Sequence, residues 1–528
     1  MQVARAALAA LVLTAAIGCG GEEPNSPVEP EPRFGVQPNF VFVLTDDQDF
    51  ASYNPRTMPL THRLLGERGI SFVNAHDTTP LCCPSRAAYL TGQYGHNNGV
   101  LNNKPGYSTL DDNDNVLGVW LQRAGYTTAY VGKFLNGYER YVDDRDEVAP
   151  GWDRWSVLVG NARGYRSFKL TVDGKERKEV YDGEYLTDVL NDRAAELVGE
   201  LAGDAPFFLQ LGQAAPHNEN LNADSGGPCA GGAVPDRRDL GSFAGEPLPN
   251  LPAVLERDIS DKPFFVADQR PVTASKRREI RFRYQCRLET LPAVDRGIAE
   301  LVEALRASGE LDETVIVFAS DNDNFHGQHR LAAGKGLPYE EAAHVPFVIR
   351  VPERLRGGGP AGVTVEQAIA NIDLVPTLVD WAGAETCPEV GDCRVMDGRS
   401  LLPLIEGRDG AWPQRRPLAT EFEIGKDEIQ PGRATSCEFQ GVRAGRWLYV
   451  RHGSVPDPET GVCEQREIVE LYDRAADPFE LENLASVAAG RARVSAVTEH
   501  LSRLTNALAG CSGIEARDPE PAGGGYCR

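Results

Sequence analysis

The sequence predicts an α/β fold: a large, mostly parallel sheet sandwiched by helices, with a smaller C-terminal subdomain built on a short antiparallel sheet. At 528 residues the chain is too long for one average domain. Apolar, β-branched runs alternate with segments of helical periodicity, which is typical of parallel strands covered by helices. Two short strand-like runs lie together near the C-terminus, which predicts the smaller sheet.

Residues 1–18 are predicted to be a lipoprotein-type signal peptide, and residues 19–36 a flexible tether rich in Glu, Pro and Ser. An apolar stretch follows Arg5, and Cys19 comes after small residues, as in bacterial lipoproteins. Ala16 replaces the usual Leu, so secretion after cleavage nearby is the alternative. A membrane-spanning helix is not expected, because it needs about 20 consecutive apolar residues.

Four stretches of the main α/β domain, residues 37–419, are predicted to be buried strands, because each is an apolar run that stops at polar groups. They are Asn39–Thr45, Thr127–Val131, Pro206–Leu211 and Thr314–Ser320. Helical periodicity is found in Leu60–Gly69, Val116–Gly125, Leu186–Leu201 and Leu291–Ser308. In sheets of this kind the ligand site lies at the carboxyl ends of the strands.

Carboxylates and an amide directly follow two of these strands. Asp46 and Asp47 come after the first strand, and Asp321 and Asn322 come after the fourth. Like charges gathered at one edge need a cation, and all-oxygen ligands favour Ca²⁺ or Mg²⁺ over zinc. Taken singly, each pair is more often a cap or a turn. Their occurrence together with the cysteine motif described next favours a metal site.

The segment Leu81–Gly92, LCCPSRAAYLTG, carries the most specific signal in the chain. Pro84 suits the first turn of a helix, and Gly92 suits its end. Cys82 then lies at a helix N-terminus, where free N–H groups favour an anion, and Arg86 is on the same face four residues later. The alternative is a buried cysteine pair before an ordinary amphipathic helix.

Three further polar side chains are expected at the same edge of the sheet. Lys133 follows the second strand, His217 lies beyond the third, and Lys335 lies in a Gly-rich loop after the fourth. A lone Lys is usually a solvated charge, and a lone His is usually a hydrogen-bonded loop residue. Their shared position at strand ends favours a functional role.

In this order, the motifs resemble those of the formylglycine-dependent sulfatases of the alkaline-phosphatase-like superfamily. The resemblance extends from Asn39–Asp47 to Glu470–Asp473 and Asp477–Leu484. Within the family, Cys82–Arg86 and Gly132–Asn136 are most similar to the branch of the N-acetylglucosamine-6-sulfatases and extracellular heparan endosulfatases. It implies a sulfate ester as substrate, with a sulfated carbohydrate preferred, and a maturation enzyme that converts Cys82 to formylglycine. The implied ligands of one divalent ion, Ca²⁺ before Mg²⁺, are Asp46, Asp47, Cys82, Asp321 and Asn322. The implied sulfate-binding and catalytic residues are Cys82, Arg86, Lys133, His217 and Lys335.

The resemblance also implies a reaction. One hydroxyl of the hydrated formylglycine attacks sulfur, helped by the metal and Arg86, while Lys335 and His217 assist the leaving oxygen. The second hydroxyl then expels sulfate, a step for which a cysteine thiolate has no equivalent group.

Two positions depart from the pattern of the family. Leu135 replaces a His that commonly follows the Lys133 equivalent, so the expulsion of sulfate must depend on another group. Asp323 replaces a common Gly, and a non-Gly residue restricts positive φ. His326 and His329 follow, and structural or surface roles are expected for both.

A net charge of −23 argues against nucleic acid or an anionic membrane as a partner, so membrane contact is expected only through a lipid anchor at Cys19. Two alternatives to a sulfatase stay open. One is a phosphonate monoester or phosphodiester hydrolase of the same superfamily. The other is a catalytically dead, glycan-binding surface protein, which requires that Cys82 is unmodified.

The cysteines and the C-terminal residues 420–528 complete the prediction. Eleven cysteines are consistent with an oxidising location. Pairing of nearest neighbours from Cys229 onward would form four bridges, although connectivity cannot be deduced from sequence. Trp447–Arg451 and Glu467–Tyr472, joined by the turn-rich Pro456–Gly461, predict a small antiparallel sheet beside a helix. The Asp518–Gly525 tail is expected to be loose, apart from Cys527.

Overall fold

A computed structural model describes most of the chain after the first 34 residues. The described residues are 35–138, 148–160, 164–173, 178–203, 205–220, 225–387, 393–424, 434–487, 492–519, 521 and 525–527. The predicted signal peptide and nearly all of the tether, including Cys19, lie outside the described residues, as does part of the predicted C-terminal tail.

The described strands form one large sheet, one four-stranded sheet and one two-stranded pair. They are β1 (Asn39–Thr45), β2 (Ile70–Phe72), β3 (Ala75–His76), β4 (Thr127–Gly132), β5 (Arg154–Leu158), β6 (Ser167–Val172), β7 (Lys178–Asp182), β8 (Phe207–Gly212), β9 (Thr314–Ser320), β10 (Phe347–Arg350), β11 (Val363–Val365), β12 (Ile369–Ala370), β13 (Leu418–Glu423), β14 (Glu438–Ala444), β15 (Trp447–Pro456) and β16 (Cys463–Asp473).

The large sheet has ten strands in the order β11-β2-β10-β9-β1-β8-β4-β5-β6-β7. Its centre, β9-β1-β8-β4-β5, is parallel, and β10, β6 and β7 add antiparallel neighbours. The mostly parallel sheet and the four predicted strands are therefore confirmed. Since β1 pairs with β8 on one side and β9 on the other, the carboxyl ends of all three strands lie side by side, with Leu44 opposite Gly212 and Thr45 opposite Ser320.

Six described helices have seven or more residues. They are α1 (Cys82–Thr91), α2 (Leu117–Arg123), α3 (Leu186–Leu201), α4 (Ala274–Ala307), α5 (Leu374–Ala382) and α6 (Ala492–Ala509). The shorter helical segments are Phe50–Ser52, Pro59–Thr61, His62–Gly66, Gly95–Asn98, Gly106–Thr109, Phe264–Ala267, Glu340–Ala343, Glu353–Leu355, Asn371–Asp373, Leu402–Ile405, Asp409–Ala411 and Leu484–Val487.

Helix α4 is longer than the predicted Leu291–Ser308. It begins after Thr273, whose side chain accepts a hydrogen bond from the Lys276 N–H as an N-cap, and it continues through Pro292. The first half of α4 is rich in charge, so its apolar periodicity is weak, and only packing in the folded protein reveals it as helix.

Both faces of the large sheet are buried, as expected for parallel strands. Along β1, Phe40, Phe42 and Leu44 belong to one apolar cluster, whereas Val41 and Val43 belong to another on the opposite face. Residues of α1, α2 and α5 belong to the first cluster, and residues of α3 and α4 belong to the second. Helices therefore cover both faces of the sheet and support its carboxyl edge.

Strands β13 to β16 form the smaller antiparallel sheet, and α6 packs on it. The strand-like runs near the C-terminus are confirmed and are longer than predicted, ten residues in β15 and eleven in β16. The boundary at residue 420 stays a prediction.

Four disulfides join cysteines that are nearest neighbours in the sequence from Cys229 onward. They are Cys229–Cys286, Cys387–Cys393, Cys437–Cys463 and Cys511–Cys527. The part of the chain that is described contains no helix long and apolar enough to cross a membrane.

Candidate active site

Polar side chains after β1 and β9 meet at the carboxyl edge of the large sheet. The Asp47 N–H donates to Asp321 Oδ1 at 3.1 Å, and Asn322 Nδ2 donates to Asp47 Oδ1 at 2.7 Å. Asp47 has φ 66°, a left-handed turn that lets the chain leave β1 sharply. Asp46, Asp47, Asp321 and Asn322 are at most 4% exposed. The predicted convergence of three carboxylates and an amide is therefore present in the structure.

Cys82 occupies the first turn of α1 and points into this cluster. Its Sγ lies 3.3 Å from Asp46 Oδ1, and Lys335 Nζ lies 2.7 Å from the same sulfur. Helix α1 ends at Gly92, which has φ 68°, as the sequence predicts. Burial and the Asp46 charge raise the pKa of the Cys82 thiol, so the unmodified side chain is a neutral thiol rather than a nucleophilic thiolate.

Arg86 links α1 to the ends of β9 and β4. Its Nε donates to Asp321 Oδ2 at 2.7 Å, and its Nη1 donates to the Lys133 carbonyl at 2.7 Å. The side chain is 1% exposed, and its Nη2 has no hydrogen-bond partner among the described residues. Lys133 itself pairs with Asp46. A buried guanidinium with one unused donor is well suited to bind an anion that enters the site.

His217 and Lys335 face a cleft above the cluster. His217 Nε2 lies 3.8 Å from Asp47 Oδ2, and Lys335 pairs with the same carboxylate. The cleft has a volume of about 440 Å³, and Asn324 and Ala434 are among its lining residues. A small organic anion can therefore approach Asp47, His217 and Lys335 from solvent, and Lys335 in turn contacts the buried Cys82.

The clustered charges shift the pKa values of one another. Burial raises the pKa of Asp46 and Asp47, but the adjacent Lys133 and Lys335 outweigh it. The pKa of Asp46 is held well below its usual range, and that of Asp47 falls to about 2. Burial and the nearby Asp46 charge raise the pKa of Asp321 to about 6. At neutral pH Asp46 and Asp47 are therefore ionised and can act as ligands.

The carboxylates and the amide of this cluster provide oxygen donors of the kind that a hard divalent cation binds. Ligand atoms from Asp46, Asp47, Cys82 and His217 all lie within 4.8 Å of one another. Asn322 Oδ1 is buried without a hydrogen-bond partner among the described residues, as expected for an oxygen that binds an ion. The Asp321 carboxylate is adjacent, but it binds Arg86 and the Asp47 N–H. Of the predicted ligands, Asp46, Asp47 and Cys82 lie together with His217, and Asp321 and Asn322 adjoin them through hydrogen bonds with Asp47. Their role as ligands stays a prediction.

Sequence reasoning missed Arg287, which comes from α4. Its Nη2 donates to the Asp47 carbonyl, and the same nitrogen lies 4.0 Å from Asp47 Oδ2. The side chain is 5% exposed. A buried cation behind Asp47 positions this carboxylate and stabilises its charge. Nothing in the local pattern around Cys286-Arg287-Leu288 marks the residue, because α4 reaches the site only through the fold.

The two departures from the family pattern have local explanations. Leu135 is 2% exposed and packs in an apolar cluster that includes Phe134 and Tyr138. The backbone at Asp323 does not adopt positive φ, so the expected steric conflict does not arise. Burial and the Asp49 charge raise the pKa of Asp323 well above its usual range, which weakens the charge that this carboxyl group adds to the cluster.

A buried cluster of carboxylates and cations at the carboxyl edge of a sheet covered on both faces is the usual place of a ligand site in the α/β class of proteins. The sequence profile of the family described as Sulfatase matches residues 38–384, and a profile described as N-sulphoglucosamine sulphohydrolase, C-terminal, matches residues 327–507. The chain therefore belongs to the sulfatase family.

Relatives with assigned names agree with this family. Human N-acetylglucosamine-6-sulfatase is 30% identical over 483 residues, which cover 86% of this chain and 82% of the relative. Extracellular sulfatase Sulf-1 homologues from Caenorhabditis elegans and Drosophila melanogaster are each 32% identical, over 70% and 71% of this chain. The chain spans about half or less of these two relatives, 49% and 32% of their lengths.

Solved structures share the fold. A protein in complex with its substrate D-glucosamine-2-N,6-O-disulfate superposes with a TM-score of 0.69 at 24% identity, covering 89% of this chain and 97% of that one. The phosphonate monoester hydrolase of Silicibacter pomeroyi superposes with a TM-score of 0.64 at 21% identity, covering 89% and 95%. At these identities the likeness supports the fold alone.

Proposed function

We propose that the protein hydrolyses a sulfate ester by means of a formylglycine that is made from Cys82. One observation carries the proposal. Cys82, at the N-terminus of α1, lies between the Asp46 carboxylate and the Lys335 ammonium, with Sγ 3.3 Å and 2.7 Å from their polar atoms. After conversion to formylglycine, this buried residue would carry an oxygen nucleophile between a potential metal ligand and a cation. An anionic ester can bind at such a position.

The proposed metal ligands are Asp46, Asp47, Asp321, Asn322 and an oxygen of modified Cys82. Their oxygen donors favour Ca²⁺, with Mg²⁺ as the alternative. When bound, the ion would act as a Lewis acid and would orient the sulfate group.

Each remaining side chain has a role that follows from its position. The unused Nη2 of Arg86 would donate a hydrogen bond to a sulfate oxygen, and Lys133 nearby would add positive charge. Burial lowers the pKa of Lys335, but Asp47 and its neighbours raise it above the usual range, so Lys335 carries the proton that the leaving oxygen needs. His217 would hold that oxygen from the other side of the cleft.

A sulfated carbohydrate is the proposed substrate class. The support comes from relatives named N-acetylglucosamine-6-sulfatase and extracellular sulfatase, and from the fold shared with a protein bound to a glucosamine disulfate. The cleft beside His217 and Lys335 would hold the sugar ring, with the sulfate group directed past Lys335 toward Cys82.

The test begins with the tryptic peptide of residues 69–86, which contains Cys82 and Cys83. In protein from a host with the maturation enzyme, mass spectrometry should show the aldehyde at Cys82. The Cys82→Ala variant should lose turnover of an aryl sulfate, and Cys83→Ala should retain it. Fully active protein with only a thiol at Cys82 would refute the mechanism.

The second candidate is a phosphonate monoester or phosphodiester hydrolase, which the fold shared with a phosphonate monoester hydrolase favours. Measurements of kcat/KM on matched aryl sulfate, aryl phosphonate and phosphodiester substrates separate the two. A higher kcat/KM for the sulfate supports the proposed function, and dominant phosphonate turnover contradicts it. A glycan-binding protein without turnover would show unmodified Cys82 and no activity on any of the three substrates.

We also propose export, followed by lipid attachment at Cys19. Four disulfides and the extracellular relatives support export. Cells labelled with palmitate should incorporate label into the wild-type protein but not into Cys19→Ala. An unlabelled, secreted wild type would instead favour an ordinary signal peptide.

A further inference from the structure

Three residues outside the cluster around Cys82 form a second group of potential metal ligands. His329, Glu341 and Glu480 each contribute one ligand atom, and the three atoms lie within 4.8 Å of one another. His329 and Glu480 are fully buried, and the side chain of Glu341 is 13% exposed. We propose that these residues bind a second divalent cation, a borderline transition metal of the Zn²⁺ type, that has a structural role.

Buried polar atoms that lack a hydrogen-bond partner are the first support for this site. His329 Nε2, Glu341 Oε2 and Glu480 Oε1 are all buried without a hydrogen-bond partner among the described residues. Leaving such an atom unsatisfied destabilises the folded state, and more so when the group is charged. Three unsatisfied atoms that face one small space would be costly together. One bound cation would satisfy all of them.

Glu256 provides the second support, because it orients the imidazole. Its Oε2 lies 2.7 Å from His329 Nδ1, so Nδ1 keeps its proton when Nε2 binds a metal. Histidines that bind metals almost always donate their other N–H to a carboxylate or a carbonyl in this way. The Tyr339 ring, with its centroid 4.5 Å from that of His329, further restricts the imidazole.

The donor set selects the class of metal. One imidazole and two carboxylates suit Zn²⁺ and similar ions, whereas Ca²⁺ prefers oxygen alone. His329 Nε2 and Glu341 Oε2 are 3.7 Å apart. Two ligands of a tetrahedral zinc ion, each about 2.1 Å from it, are about 3.4 Å apart, so a small adjustment allows both to bind.

Nearby charges do not prevent cation binding. Arg474 Nε and Arg443 Nη1 lie 3.6 Å and 4.0 Å from Glu480 Oε1, but both guanidinium groups bind Glu340 more closely, at 2.5 Å and 2.6 Å. Lys262 Nζ lies 3.7 Å from Glu256 Oε1 and balances that carboxylate.

Without an ion, a proton takes the place of the metal. Burial lowers the pKa of His329, but the hydrogen bond with Glu256 and the nearby Glu341 carboxylate raise it to about 9. The competing state is therefore an ion pair of imidazolium and carboxylates. Metal binding would displace this proton.

The site would connect three segments of the molecule. His329 lies in the loop between β9 and Lys335, Glu341 lies in the helical segment that follows this loop, and Glu480 lies beyond β16. A shared cation would thus fasten the loop that carries Lys335 to the C-terminal part of the chain.

The test is equilibrium dialysis of chelator-treated protein against Zn²⁺ in the presence of excess Ca²⁺. The wild type should bind one equivalent of Zn²⁺ more than His329→Gln. His217→Gln, the same substitution in the cluster around Cys82, is the matched control and should retain the second-site zinc. Glu256→Gln should keep the stoichiometry and weaken Zn²⁺ affinity by about 10- to 100-fold. Anomalous diffraction at the zinc edge should place the ion among the three side chains.

Equal Zn²⁺ binding by the wild type and His329→Gln would overturn the site, and so would zinc that is lost only in His217→Gln. An ion pair without metal predicts no Zn²⁺ binding that depends on His329. If circular dichroism shows that His329→Gln does not fold, Glu341→Gln at the exposed edge replaces it. No readout depends on sulfate hydrolysis, so the outcome is independent of the proposed function.

Discussion

Arg86 illustrates how a single buried side chain organises the candidate site. It spans from α1 to the Asp321 carboxylate and the Lys133 carbonyl, and it still has one unused donor. A guanidinium can serve these separate acceptors because its donors are arranged in a rigid planar fork. The residue therefore fixes two strand ends relative to Cys82 and presents charge to a bound anion.

Arg86→Lys should lower kcat/KM for an aryl sulfate by about 10²-fold or more, because a single ammonium group cannot replace a fork of preorganised donors. Steady-state kinetics on protein with confirmed modification of Cys82 provides the measurement. The exposed Arg415→Lys is the matched control and should have wild-type kinetics. An Arg86→Lys enzyme of unchanged kcat/KM would exclude a direct role for the guanidinium.

At the scale of residues, the local sequence predicts those relative positions of side chains that follow from the geometry of one helix or of neighbouring strands. Cys82 and Arg86 are one helical turn apart, so their relation follows from the motif alone. The position of Asp46 and Lys133 follows from strands that end at one edge. Arg287 is different, because 240 positions separate it from Asp47 in the sequence and only the packing of α4 brings them together.

At the scale of elements, α1 is held in place by its ends. All ten of its residues are buried, and Gly92 closes the helix with φ 68°. A Cβ at Gly92 would lie 3.1 Å from Val375 Cβ and 3.2 Å from Met396 Cγ. The end of α1 thus has little room for a side chain, and the turn itself favours glycine.

Gly92→Ala should lower the free energy of unfolding by about 1–2 kcal/mol, through the strain of a positive φ and these close contacts. Gly199→Ala is the matched control, because Gly199 lies inside α3 with no atom within 4 Å of an added Cβ. The control should raise stability by up to about 1 kcal/mol. Thermal unfolding of both variants checks the opposite signs, and equal effects would contradict the role of the turn.

At this scale too, physical reasons decide which elements can be predicted from the sequence. The strands β1, β4, β8 and β9 are predicted because both of their faces are buried, which leaves long apolar runs. The short β2, β11 and β12 have two or three residues each and carry no comparable pattern. The first half of α4 escapes prediction because charge obscures its apolar face.

At the scale of the whole molecule, His96 connects the sheet edge to the C-terminal part. Its Nδ1 lies 2.9 Å from Glu421 Oε2 on β13, and its Nε2 lies 3.2 Å from the Cys511 carbonyl. With both ring nitrogens facing acceptors, the imidazolium form is favoured. Burial lowers the pKa of His96, but Glu421 raises it to about 9.

His96 should therefore make stability depend on pH. Because its pKa in the folded state exceeds that in the unfolded state, its contribution is complete below about pH 6.5 and is lost as pH rises through about 9. The difference is about 3 kcal/mol at most. Thermal unfolding between these pH values should show a smaller decline for His96→Gln than for the wild type. The exposed His500→Gln is the control, and a His96→Gln curve parallel to the wild type would contradict the assignment.

The burial of Cys82 also imposes an order of events on the biogenesis of the protein. In the folded chain this residue is 1% exposed, beneath charged groups from β1, β4 and the Lys335 loop. A maturation enzyme that must bind the segment around Cys82 cannot reach this segment in the folded protein. The proposed conversion therefore has to occur on the nascent or newly exported chain, so that the time available for it is set by the rate of folding.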